Sequence, residues 1–174
     1  DALHYAHQNQ VVHRDIKPAN IMFDAPSGEL KITDFGIARL TDSGRTRTGV
    51  VLGTPSFMSP EQLQGRPVTG RSDLFSLAVS LYQLLTGQLP FRGDTMPGLM
   101  MTLALGPHPR ICAIPPRLPP GLDAFFDRAL AKDPAARPQT ARELSRRLAG
   151  IEGANDWTDD RARDWWASHR PAAS

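Results

Sequence analysis

The stretch that most constrains the fold is Ser72–Thr86. Its Leu74, Phe75, Leu77, Ala78, Val79, Leu81, Tyr82, Leu84 and Leu85 go nearly all the way round a helical wheel. A helix that is apolar on every side belongs in the middle of a domain, with other elements packed around it. Gly87 follows where helices are commonly closed by a residue in the left-handed region.

The remaining segments read as layers around that helix. Residues 1–8 carry Ala2, Leu3, Tyr5 and Ala6 on one stripe and read as a helix, with Val11-Val12 as a short strand after it. His4 and His7 share a face of that helix and read as packing residues. Ile21-Met22-Phe23 and Leu30-Lys31-Ile32 flank the turn signal Pro26-Ser27-Gly28, which predicts a β-hairpin. Residues 37–61 are polar without a sustained period, and a loop of that length inside a compact domain is usually functional. Residues 95–105 predict a further helix, and Pro107–Pro120, with six prolines, an extended loop. Leu122–Ala131 is amphipathic, and Thr140–Glu143 is a capping box that opens a helix carrying Leu144 and Leu148. The expected fold is mainly α with a small β-hairpin, in one domain over residues 1–149.

After Gly150 the composition shifts to a tail, residues 150–174. Thr158–His169 suits a short helix supported by an Asp159–Arg163 pair, and Trp157, Trp165 and Trp166 are candidate contact residues. A formal net charge of +2 is too small to argue for a nucleic-acid partner. The single Cys112 excludes an internal disulfide and a cysteine-based metal site, and fits a reduced, cytoplasmic setting. No run within the chain approaches the ~18 apolar residues of a membrane span.

The chemistry gathers in His13–Asn20, HRDIKPAN, which places an acid, a base and an amide in one short loop. Taken singly, Asp15 reads as a turn carboxylate, Lys17 as a surface charge, Asn20 as a turn amide and Asp34-Phe35-Gly36 as a strand exit. Together they match the ordered pattern H-R-D-L-x-x-x-N, with Ile16 for Leu, followed by D-F-G. Gly53-Thr54-Pro55 and then Ser59-Pro60-Glu61 come after in the same order. On these residues the chain resembles the large C-terminal lobe of bacterial-type (Hanks-type, eukaryotic-like) serine/threonine protein kinases, over residues 1–149.

That resemblance implies ATP and Mg²⁺ as ligands and serine or threonine hydroxyls of protein substrates as acceptors. It implies Asp15 as the base, Lys17 beside the transferring phosphate, Asn20 and Asp34 on Mg²⁺, and Met22 as the floor of the adenine pocket. Thr54 would bridge Asp15 and Lys17. Glu61 and Arg137 would form a buried ion pair, Asp73 would bind the backbone of the catalytic loop, and His13 would meet Phe35. Thr46 and Thr48 are candidate autophosphorylation sites, with Arg14 and Arg39 to receive the phosphate. The 174 residues contain no glycine-rich G-x-G-x-x-G lid and no strand lysine of the V-A-I-K type. The expectation is therefore a partial catalytic domain whose small lobe lies outside this chain, and which is inactive alone. The alternative is a non-catalytic binding or scaffold module of kinase ancestry. Ser59, Phe57, Phe75 and Ala78 depart from the residues usual at their places, and none belongs to the catalytic set.

Overall fold

The computed structural model describes residues 1–24, 27–35, 55–114, 118–153, 156 and 158–169. Its elements are α1 (Ala2–Gln8), a hairpin of β1 (Ile21–Asp24) and β2 (Glu29–Ile32), α2 (Pro60–Leu63), α3 (Gly70–Thr86), α4 (Met96–Leu105), α5 (Gly121–Ala129), α6 (Ala141–Ala149) and α7 (Asp159–His169). The mainly helical architecture with one small hairpin is as expected.

Helix α3 is the axis. Leu74, Phe75, Ala78, Val79 and Tyr82 are buried against Leu99 and Leu103 of α4, Leu122, Phe125 and Phe126 of α5, and Leu144 of α6. Three of its serines are also buried: Ser72 Oγ donates to Glu61, and the helix absorbs the other two by back-bonding, Ser76 Oγ to Ser72 O and Ser80 Oγ to Ser76 O. Tyr82 reaches out of the core to donate its hydroxyl to Pro109 O at 3.1 Å, pinning the proline-rich segment. The all-round burial expected of this helix fails in its last turn, where Leu84 is 68% exposed. Leu85 is exposed as well, so this end of the helix is left uncovered by the described residues.

Both ends of α3 have an identifiable cause. Thr69 and Ser72 form a reciprocal capping box at the start, and Gly87 closes the end at φ 69°. A β-carbon at Gly87 meets no neighbour, so the cost of substitution there is backbone strain alone. Gly87→Ala is expected to lower stability by about 1 kcal/mol in chemical denaturation, with no effect on the packed core.

Local differences from the sequence expectations have physical reasons. Val11 and Val12 form no strand, because among the described residues they have no partner to pair with; Val11 N–H instead closes α1 on Ala6 O. The segment after Pro107 is not wholly extended, since Ile111–Ala113 makes a 3₁₀ turn. At α6, Thr140 Oγ1 accepts from Glu143 N–H as expected, but the Glu143 carboxylate takes the N–H of Gln139 and not that of Thr140. In α7, Arg163 pairs with Asp160, three residues back; the side chain of its expected partner Asp159 lies outside what the structure describes. The expected hairpin forms, with Ile21 opposite Ile32, and each strand runs one residue further toward the turn, Asp24 opposite Glu29.

Candidate active site

The catalytic-loop segment enters from α1 and leaves into β1. Pro18–Asn20 form a single 3₁₀ turn, which Pro18 favours by its fixed φ. This turn folds Asn20 back over Asp15: Asn20 Nδ2 donates to Asp15 O at 2.8 Å and to Asp15 Oδ2 at 3.2 Å. Lys17 Nζ donates to the same carboxylate oxygen at 2.9 Å. Asp15 and Lys17 side chains keep 31% and 22% exposure, so both groups remain open to a ligand. The acid, the ammonium and the amide are thus brought together as the sequence predicts.

Asp34 comes to the same place through the hairpin. Ile32 pairs with Ile21, and Thr33 N–H continues the contact by donating to Asn20 O at 2.9 Å. Asp34 follows at φ 56°, a left-handed conformation that costs a non-glycine residue on the order of 1–3 kcal/mol. It is exposed, and among the described residues no side chain bonds its carboxylate. Because Nδ2 of Asn20 is committed to Asp15, the amide oxygen is the atom left for coordination. Two hard oxygen donors fit Mg²⁺, which is usually held by one or two protein groups and completed by phosphates and water. Met22, in β1, is 58% exposed and presents an apolar surface beside these groups.

The support of the loop is buried. Asp73, 1% exposed in the first turn of α3, accepts from His13 N–H through Oδ2 and from Arg14 N–H through Oδ1, each at 2.8 Å. Arg14 sits at φ 68°, and Gln62 Nε2 holds its carbonyl at 2.7 Å. The His13 ring is clamped from both sides. Its Nδ1 accepts from Asp15 N–H and its Nε2 donates to Thr33 O, which sets the tautomer. Phe35 packs on that ring with centroids 4.6 Å apart. The backbone immediately before Asp15 is therefore fixed by side chains from α2 and α3, and the Asp15 carbonyl by Asn20.

Below the site, Glu61 and Arg137 form the expected buried pair in bidentate geometry, at 2.7 and 2.9 Å. Ser72 Oγ adds a bond to Glu61 Oε1, and the rest of the guanidinium donates to Ala131 O, Lys132 O and Arg71 O. Burial pushes the Glu61 carboxyl up, but the bonds from Arg137 and Ser72 outweigh it and hold the group at about 2. At Cys112, burial and the neighbouring Asp123 push the thiol up, disfavouring the reactive thiolate.

Thr54, Thr46, Thr48, Arg39, Gly36 and Trp157 lie outside the described residues. Sequence reasoning missed the roles of Gln62, Thr33 and His7. The Ser59-x-x-Gln62 spacing was a readable helix-capping signal, and the structure contains that capping box. Its further bond to Arg14 O had no sequence signal, because it joins residues 48 apart. His7, expected to be a packing residue, instead bonds Asp73.

Residues 1–147 match the protein kinase domain family. The chain belongs to the protein kinase family. Its relatives are bacterial serine/threonine kinases. It is 44% identical over 158 residues to the serine/threonine-protein kinase PknB of Mycobacterium tuberculosis, covering 86% of this chain and 24% of that protein. It is 42% identical over 161 residues to the serine/threonine-protein kinase pkn3 of Myxococcus xanthus, covering 87% of this chain and 29% of the relative. The chain thus spans about a quarter of the length of the curated relatives it matches. The kinase domain of Mycobacterium tuberculosis PknI superposes with a TM-score of 0.60 at 31% identity, over 83% of this chain and 47% of that one. The resemblance to bacterial Hanks-type serine/threonine kinases carried by HRDIKPAN thus holds in both sequence and fold. Among the described residues no helix is long and apolar enough to cross a membrane.

Proposed function

We propose that this chain supplies the catalytic and metal-binding half of a protein serine/threonine kinase, transferring the γ-phosphate of ATP to serine or threonine hydroxyls of proteins. The observation that carries this reading is the joint bonding of Asp15 Oδ2 by Lys17 and Asn20, beside Asp34. Asp15 accepts the proton of the acceptor hydroxyl. Lys17, anchored within reach of the same oxygen, presents its ammonium to the phosphate being transferred. Asn20 and Asp34 hold Mg²⁺, which when bound neutralises charge on the phosphates. Met22 supplies the apolar floor for adenine, and Thr54, outside the described residues, is the proposed bridge between Asp15 and Lys17. A cytoplasmic setting fits both the ATP requirement and a lone reduced Cys112.

Phosphate transfer from labelled ATP by the complete protein, in the presence of Mg²⁺, tests the reading. The 174-residue chain by itself, which contains no glycine-rich phosphate lid, is expected to transfer none. No transfer by the complete protein under any tested condition would instead support a non-catalytic scaffold of kinase ancestry.

Thr46 and Thr48 are proposed sites of autophosphorylation, whose phosphates would gain charge-assisted bonds to Arg14 and Arg39. Replacing both threonines by alanine in the complete protein is expected to abolish phosphate incorporation in this segment, read by mass spectrometry, and to lower substrate turnover. Full turnover by the double variant would remove the regulatory role.

A further inference from the structure

We infer that Trp166 of α7 is a positioning residue for the nucleotide floor: it seats the tail helix on the β1–β2 hairpin through Phe23, and so backs the strand that carries Met22. The consequence for nucleotide rests on the kinase reading above, whereas the docking of α7 does not. Helix α7 lies beyond residues 1–147, so the contact is not part of the segment that matches the kinase family. The indole of Trp166 stacks on the Phe23 ring, with centroids 5.7 Å apart and planes 25° from parallel. Successive strand residues face opposite sides. Phe23 and Leu30, opposite it in the register, therefore share the face turned away from Met22, and Trp166 supports the hairpin from behind.

Each partner needs the other. At the base of the hairpin Ile21 and Ile32 are half-buried, and Thr33 N–H donates to Asn20 O at 2.9 Å. Beyond that base Met22, Phe23 and Leu30 are exposed, and a two-stranded hairpin with little packing is marginal in water. Helix α7 has eleven residues, too few to hold a helix by propensity alone. Ala162 and Trp166, four apart on one face, are its half-buried residues, and its other described side chains are exposed. Trp165 meets Trp166 edge-on and stacks on His169, so three rings form one cluster, of which Trp166 is the member that reaches the hairpin. Helix and hairpin tip are thus each weak alone and steady one another through a single pair of rings.

Hydrogen exchange and steady-state transfer kinetics of the complete protein test this. Trp166→Ala is expected to remove exchange protection from α7 and to speed exchange of the β1–β2 peptides about threefold to tenfold, with the α3–α5 core unchanged. KM for ATP is expected to rise about threefold to tenfold as well, while kcat stays within about twofold, because the base of the hairpin keeps Thr33 on Asn20. Trp166→Phe retains a ring to stack and should restore both protection and KM. Phe23→Leu should reproduce Trp166→Ala, and the double variant should be no worse than either single one, as for two halves of one contact.

Amides of α7 that exchange freely in the wild type would mean that the helix does not sit on the hairpin, and would overturn the inference. So would a Trp166→Ala protein with wild-type hairpin exchange and KM, or one whose core loosens to the same extent, the mark of a merely structural role. If Phe23→Leu fails to fold, the two Trp166 variants still decide the matter. A wild-type protein that transfers no phosphate defeats the kinase reading, while the exchange comparison continues to test the docking of α7.

Discussion

Asp15→Asn in the complete protein is expected to lower phosphate transfer by about 10²–10⁴-fold, the usual contribution of a positioned general base. The substitution is a narrow one. Asparagine retains the shape of the side chain and an oxygen that can still accept from Lys17 and Asn20, so the 3₁₀ turn at Pro18–Asn20 has no reason to reopen. The Asp15–Lys17 pair is about one-quarter to one-third exposed, and ion pairs in such settings contribute roughly 0–1 kcal/mol to stability. The melting temperature should therefore hardly move while turnover collapses. Binding of Mg²⁺ and ATP should survive, because Asn20, Asp34 and Met22 are untouched. Undiminished turnover in this variant would remove Asp15 from the mechanism. A variant that has lost both turnover and fold would show that the loop depends on the carboxylate more than its bonding suggests.

The largest expected effect on stability is at Arg137. Arg137→Met leaves Glu61, 2% exposed, as a buried carboxylate without its cation, keeping the Ser72 hydroxyl as side-chain donor among the described residues. Breaking one side of a buried, bidentate pair costs about 3–5 kcal/mol, a large share of the ~5–15 kcal/mol that holds an ordinary domain together. The guanidinium also covers the Phe75 ring and satisfies the carbonyls of Ala131, Lys132 and Arg71, so three backbone acceptors lose their donor as well. Replacing Glu61 by Met in addition should recover part of the loss, since an apolar pair avoids the unpaired charge. Chemical denaturation of the single and double variants measures this directly, and a loss under about 1 kcal/mol for Arg137→Met would refute it.

The same pair sets a pH dependence. Glu61 titrates at about 2 in the folded protein against an ordinary 4.5, so the folded state binds its proton less readily than the unfolded state does. Its contribution is therefore complete above about 4.5 and is lost as pH falls toward about 2. Arg137→Met should flatten stability over that acid window. Wild-type and variant curves that stay parallel there would show that the pair is not the source.

Much of the site was legible because its chemistry is local in sequence. Asp15, Lys17 and Asn20 lie within six residues, and a proline-led turn is enough to bring them together. The hairpin was legible for a similar reason: alternating strands and a turn signal specify a register, and that register alone delivers Asp34 to Asn20. The buried core of α3 followed from apolar residues around the whole wheel, which admit only a central position.

What the sequence could not decide was who holds whom across long separations. Val11-Val12 had the composition of a strand, yet pairing requires a neighbour, and the tertiary structure uses that segment to close α1 instead. His7 looked like one more packing residue, because nothing near it in sequence announces Asp73, 66 positions away. The bond of Gln62 to Arg14 is of the same kind. Chain neighbours meet through backbone geometry that residue type largely dictates, so the catalytic set and its elements were determined by the sequence alone. Partners separated by dozens of residues meet only after helices α1, α2 and α3 have packed, so the support that holds Asp15 in place was decided by the tertiary structure.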